Sequence, residues 1–141
     1  MKIFRKKNGV RKIQLIRQRN ANENGLACVA MLVNYYGPSV SIADIQKAHP
    51  EIASDANLRQ IIETLSFYKI STTAYRCDME GLVGMSRPCL IYWKLRAFVI
   101  LTDIIDDNYI ICDPSSSKQE MSYPPSLFHC YFSGIVLVKR D

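Results

Sequence analysis

Histidine and cysteine, the residues on which metal sites and thiol chemistry most often depend, are thinly spread in this 141-residue sequence. The two histidines, His49 and His129, lie far apart without ligand-like spacing and read as ordinary surface or boundary residues. The five cysteines, Cys28, Cys77, Cys89, Cys112 and Cys130, are odd in number and contain no Cys-x-x-Cys pair. That pattern speaks against a zinc ribbon or a disulfide framework and suits a reducing cytosol. No metal and no other cofactor is expected. Long apolar runs are missing too: the longest clean one, Leu26 to Val33, has eight residues, where a membrane-spanning helix needs about 18 or more. The basic N-terminus is not followed by the apolar core and small-residue cleavage site of a signal peptide. Repeats and low-complexity tracts are absent. What remains has the length of one domain, enough to bury a single core.

Charge is unevenly placed. Residues 1–19 hold Lys2, Arg5, Lys6, Lys7, Arg11, Lys12, Arg17 and Arg19 and no acid, which is eight of the 18 basic residues. The rest of the chain then carries ten basic against 13 acidic residues, a net charge of −3. A basic N-terminal segment (1–19) on a mildly acidic body (20–141) suggests attraction to an anionic surface, either lipid or an acidic protein face. A solvated tail is the alternative. Nucleic acid is not expected, because Phe4 is the segment's sole aromatic and stacking platforms need several.

Along the body, Asn20 to Asn24 reads as a polar loop. A strongly apolar helix follows, capped by Asn24 and closed by Gly37-Pro38. Ser41 and Asp44 form a capping-box pattern opening a short helix to about Ala48. Leu58, Ile61, Ile62, Leu65 and Tyr68 recur at helical spacing within Asn57 to Tyr68, a stripe that reads as core. From Ile70 the pattern turns to strands: Ile70 to Cys77, Cys89 to Trp93, Phe98 to Ile105, a turn at Asp106-Asp107-Asn108, the return strand Tyr109 to Cys112, and Gly134 to Lys139. Met79 to Met85 reads as a helical turn, Asp113-Pro114-Ser115 as a loop and Pro125 to Tyr131 as a short helix. Helices first and strands after define an α+β fold, with N-terminal helices packed on an antiparallel sheet.

The segment Glu23-Asn24-Gly25-Leu26-Ala27-Cys28-Val29-Ala30-Met31, with Tyr35-Tyr36-Gly37 after it, resembles the nucleophile segment of a known family. These are the papain-like peptidase domains at the N-termini of ABC transporters that export bacteriocins and microcins and cut double-glycine leader peptides. The similarity continues at Pro88 to Trp93, Phe98 to Leu101, Ile110 to Pro114 and Phe132 to Leu137, and so spans roughly residues 14–139. Ordered motifs at matching spacing make it specific. The resemblance implies a papain-like fold and four catalytic positions. The family's nucleophilic cysteine falls on Asn24 and its general-base histidine on Ala97. Its orienting aspartate is kept as Asp113 and its oxyanion-hole glutamine as Gln18.

Cysteine catalysis needs a thiolate generated beside an imidazole and favoured by a helix N-terminus. The Asn24 carboxamide is expected to cap its helix and do little else, and Ala97 can neither take nor return a proton. In triad enzymes, losing nucleophile or base costs on the order of a million-fold in turnover. Asp113 is expected to accept N–H groups in its own Asp-Pro turn, with Arg96 as a substitute partner. Cys28, one turn into an apolar helix, reads as a small hydrophobe with a raised pKa. Tyr92, Lys94 and Arg96 also depart from the family's common run before the base.

The reading is a catalytically inactive peptidase-like domain that binds or docks an exported peptide or protein for an ABC transporter. It would sit at the cytoplasmic face of the bacterial inner membrane, with the transporter's membrane and nucleotide-binding domains as partners, and would be monomeric in isolation. Tyr92, Trp93, Arg96 and Phe98 are the substrate-binding candidates, with core packing the competing assignment for Trp93. Two other readings stay open: an active double-glycine leader peptidase with unorthodox residues, and a stand-alone interaction or regulatory protein.

Overall fold

The computed structural model describes residues 12–52 and 55–141. Most of the basic segment, residues 1–11, lies outside the described residues. Within them the chain runs as a 3-10 turn (Ala21–Glu23), α1 (Asn24–Tyr36), α2 (Ile42–Ala48), α3 (Leu58–Phe67), β1 (Thr72–Arg76), α4 (Met79–Val83), β2 (Cys89–Trp93), β3 (Ala97–Ile105), β4 (Asn108–Cys112), β5 (Met121–Tyr123), α5 (Pro125–Tyr131) and β6 (Phe132–Lys139). The six strands form one sheet in the order β1-β6-β2-β3-β4-β5, and every neighbouring pair is antiparallel. The α+β architecture with N-terminal helices on an antiparallel sheet is therefore present.

The sheet alternates with period two, so adjacent residues serve opposite faces. Leu90, Phe98, Ile100, Cys112 and Leu137 join α1, α2 and α3 in one core. Ile91, Trp93, Val99, Leu101, Tyr109, Ile111, Val136 and Val138 join Leu82 of α4 and Phe128 of α5 in a second. Helix α1 lies at the centre of the first core. Gly25 to Val33 are all buried, and a helix apolar on every side is one that neighbours enclose. At its first turn Gly25 is needed for close approach: a Cβ there would stand 3.0 Å from the Ala56 carbonyl oxygen.

Local signals account for most element ends. Ser41 with Asp44 and Asn57 with Gln60 make reciprocal capping boxes for α2 and α3. Asp106 and Asp107 adopt φ of 50° and 68°, the left-handed pair that a two-residue hairpin requires and that Asp tolerates. Side-chain amides do the work of missing peptide groups elsewhere. Asn34 bonds both the N–H and the C=O of Val40, and Gln119 bonds the N–H of Leu15 and the C=O of Ile13.

Several expectations are corrected. The loop expected over Asn20 to Asn24 is partly a 3-10 turn whose cap is Asn20, which accepts from the Asn22 N–H. Asn24 does not cap α1; residue 23 holds the N-cap position and no side-chain cap bond forms. The first strand begins at Thr72, later than Ile70, and the last begins at Phe132, earlier than Gly134. Edge strand β5 has only three residues, too short for a period-two pattern to register. Of the basic segment, Ile13 is 3% exposed and Gln18 donates its N–H to the Pro114 carbonyl at 3.0 Å.

Candidate functional site

The N-terminus of α1 meets the start of β3 beside the loop that follows β4. A cleft of about 390 Å³ opens there, lined by Gln18, Ala21, Asn24, Trp93, Lys94, Arg96, Ala97, Asp113 and Ser115. All four positions singled out from the sequence, Gln18, Asn24, Ala97 and Asp113, converge on this one cleft. Each arrives by a different route. Gln18 is carried on a segment held by Gln119 and Pro114. Asn24 opens α1, Ala97 opens β3, and Asp113 follows β4.

Asn24 does something that sequence reasoning missed. Its Oδ1 accepts from the Phe98 N–H at 2.7 Å, and its Nδ2 donates to the Phe98 C=O at 3.0 Å. The same Nδ2 lies 3.3 Å from Gln18 Oε1. Strand β4 pairs with β3 as far as Ile100 opposite Cys112, so at Phe98 the strand has run past its partner. The carboxamide supplies the donor and acceptor that a further strand residue would have supplied. It is thus a clamp between helix and sheet and not a helix cap. Asp113 behaves as expected: its Oδ1 accepts from the Ser115 N–H at 2.9 Å and from the Ser115 hydroxyl at 2.7 Å. Arg96 does not replace a base as its partner; no ion pair joins them among the described residues.

Electrostatics around the cleft disfavour a thiolate. Burial, then the nearby Asp113 charge, pushes the Cys28 thiol well above its ordinary range. Its Sγ is 3.4 Å from the Phe98 carbonyl oxygen. Burial raises Cys89 to about 12 and Cys112 to about 11. Cys130 is exposed on α5, with its Sγ against the Ser126 carbonyl. His49 packs edge-on to Phe67 and its Nδ1 faces Glu51, while His129 borders a separate surface pocket with Met79 and Val83. No cysteine hydrogen-bonds either histidine among the described residues, and among them no cluster of His, Cys, Asp or Glu is placed to hold a metal ion. Ahead of α1, Glu23 accepts the Arg19 N–H and guanidinium; these hydrogen bonds hold its carboxyl below the usual range.

The four substrate-binding candidates separate into two groups. Tyr92, Arg96 and Phe98 border a second groove of about 300 Å³, together with Ala56, Asn57, Leu58 and Ile135. Arg96 lines both this groove and the cleft, so the two adjoin. Trp93 is withdrawn from that surface. It is 3% exposed and its ring packs against Tyr123, Phe128 and Tyr131 on the opposite face of the sheet. Asn57 and Leu58 were recognisable from sequence as a helix start, but nothing local said that this start faces β3.

An N-terminal helix meeting an antiparallel sheet, with Gln, Asp and the helix start around one cleft, defines a papain-like peptidase-type domain. The chain belongs to the Peptidase C39 family, which it matches over residues 12–141. It is 27% identical to the probable microcin-H47 secretion/processing ATP-binding protein of Escherichia coli over 132 residues, 90% of this chain and 18% of that protein. It is 26% identical to the Escherichia coli colicin V secretion/processing ATP-binding protein, again over 90% of this chain and 18% of the relative. The chain thus spans about a fifth of the length of these relatives. Among solved structures, the double glycine motif protease from an AMS/PCAT transporter, in complex with its leader peptide, superposes with a TM-score of 0.82 at 27% identity, covering 92% of this chain and 93% of that one. The Streptococcus ComA peptidase domain has the same fold, with a TM-score of 0.80 at 18% identity, covering 92% of this chain and 99% of that one. No helix among the described residues is long and apolar enough to cross a membrane.

Proposed function

We propose that this C39 domain binds an extended peptide of the double-glycine leader class without cutting it, and so serves an exporting ABC transporter as a docking domain. The observation that carries this reading is the Asn24 clamp. At the start of α1, where a papain-like enzyme needs a thiolate, a carboxamide is bonded at both ends to the backbone of Phe98. Beside it, at residue 97, is an alanine lining the same cleft. An amide so engaged has no nucleophilic lone pair to offer and the methyl group has no proton to move. Gln18 and Asp113 keep the shape of the site, and the adjoining groove of Tyr92, Phe98 and Leu58 supplies apolar area for a peptide.

A leader peptide is the ligand class because a structural neighbour at 27% identity is a double glycine motif protease bound to one. A transporter is the assembly because the sequence relatives are secretion/processing ATP-binding proteins. On this reading the domain works at the cytoplasmic face of the inner membrane, beside the membrane and nucleotide-binding domains. Residues 1–11 would add basic charge toward an anionic lipid surface. Calorimetric titration with a synthetic double-glycine leader tests the reading. Saturable binding is the expected result, and absence of binding to any leader or unfolded cargo would refute it.

A further inference from the structure

We propose that Arg96 recognises a free C-terminal carboxylate, so that the cleft favours a peptide that ends in it over a chain that runs through it. The inference rests on the binding role argued above and names the form of the ligand. Arg96 stands where the apolar groove joins the polar cleft. It is exposed, and its guanidinium has no protein partner among the described residues. The other charges lining the cleft have neighbours within the domain. Lys94 Nζ lies 4.5 Å from the centroid of the Tyr131 ring, and Asp113 Oδ1 is held by the N–H and hydroxyl of Ser115.

A peptide passing through the cleft presents only neutral amide groups there, and an unpartnered guanidinium gains little from them. A peptide ending in the cleft brings a carboxylate, whose two oxygens match the planar guanidinium fork. Gln18 adds a neutral donor to the lining of the same cleft, because its Oε1 takes the Asn24 contact and its Nε2 is left over. The ligand would be a leader already severed after its double glycine, with the cut made elsewhere.

The test uses one synthetic leader in four forms: ending Gly-Gly as the free acid, ending Gly-Gly as the amide, continuing past Gly-Gly, and as the free acid with its acidic side chains replaced by amides. The wild-type domain is expected to bind the free acid about fivefold more tightly than the amide or the continuing form, the size of one exposed ion pair. In Arg96→Gln all the Gly-Gly forms should bind alike. Equal binding of acid and amide by the wild type, or a preference that survives Arg96→Gln, would overturn the inference while leaving peptide binding intact. An Arg96 dependence that follows the side-chain carboxylates instead of the terminus would overturn it too. If no form binds, the binding role fails and this inference with it.

Discussion

The two faces of the sheet are built from different materials. One carries the helical layer, and at its edge polar side chains hold the cleft: Asn24 on Phe98, Gln119 on Ile13 and Leu15, Arg19 on Glu23. The other is closed by two short helices and an aromatic stack in which Trp93, Tyr109, Phe128 and Phe132 pack ring on ring. Tyr92 and Trp93 are neighbours in sequence yet belong to different faces, one to the groove beside Leu58 and one to the stack. The lesson is that aromatic character alone does not say which surface a ring serves; parity along the strand does.

The largest effect should come from the aromatic face. Phe128→Ala, at a fully buried ring that lines neither the cleft nor the groove, is expected to lower stability by about 3–5 kcal/mol, read by urea unfolding, with leader affinity unchanged at temperatures where the variant is folded. An affinity loss in the folded variant would break the separation of the faces. Next is the clamp. Asn24→Asp keeps the acceptor for the Phe98 N–H but turns the donor into a second acceptor facing a carbonyl, so a loss of about 2 kcal/mol is expected, again by urea unfolding. Tyr92→Ala should weigh the other way: calorimetry should show leader affinity falling about tenfold, while loss of the ring contact with Phe98 and of the hydroxyl's bond to the Leu95 carbonyl costs about 1–2 kcal/mol of stability.

The smallest effect is electrostatic and belongs to the cleft side. Glu23 titrates below the ordinary carboxylate range because Arg19 hydrogen-bonds its charged form. Its contribution is therefore complete above the unfolded value of about 4.3 and is lost as pH falls through the lower folded value. Urea midpoints should show Glu23→Gln less stable than wild type at pH 7, with the gap narrowing below pH ~4 as Glu23 itself takes up a proton. A gap that held constant to acid pH would show that geometry, not charge, joins Arg19 to Glu23.

Features that depend on nearby residues were legible in the sequence. The α2 capping box, the Asp106-Asp107 turn and α5 from Pro125 to Tyr131 all rest on short-range chemistry and lie where the residues put them. The convergence of Gln18, Asn24, Ala97 and Asp113 was legible only through family resemblance, because no local pattern brings residues 18 and 113 together. The roles of single polar groups were not legible. Asn24 at a helix start reads as a cap, since an amide there most often bonds its own helix. The unpaired end of β3, 74 residues away, outcompetes that role. The contacts of the basic segment's end were not legible for the same reason: charge marks residues 1–19 as one segment, while Gln119, about a hundred residues along the chain, bonds the backbone of Ile13 and Leu15.

The central claim is that the cleft holds a peptide it cannot cut. Mass spectrometry of a double-glycine precursor incubated overnight with an equimolar amount of the domain tests it most directly. Only the intact precursor mass should appear. A fragment ending at the double glycine, formed by the purified domain and lost in Cys28→Ser, would contradict the account and place the working thiol one turn further along α1.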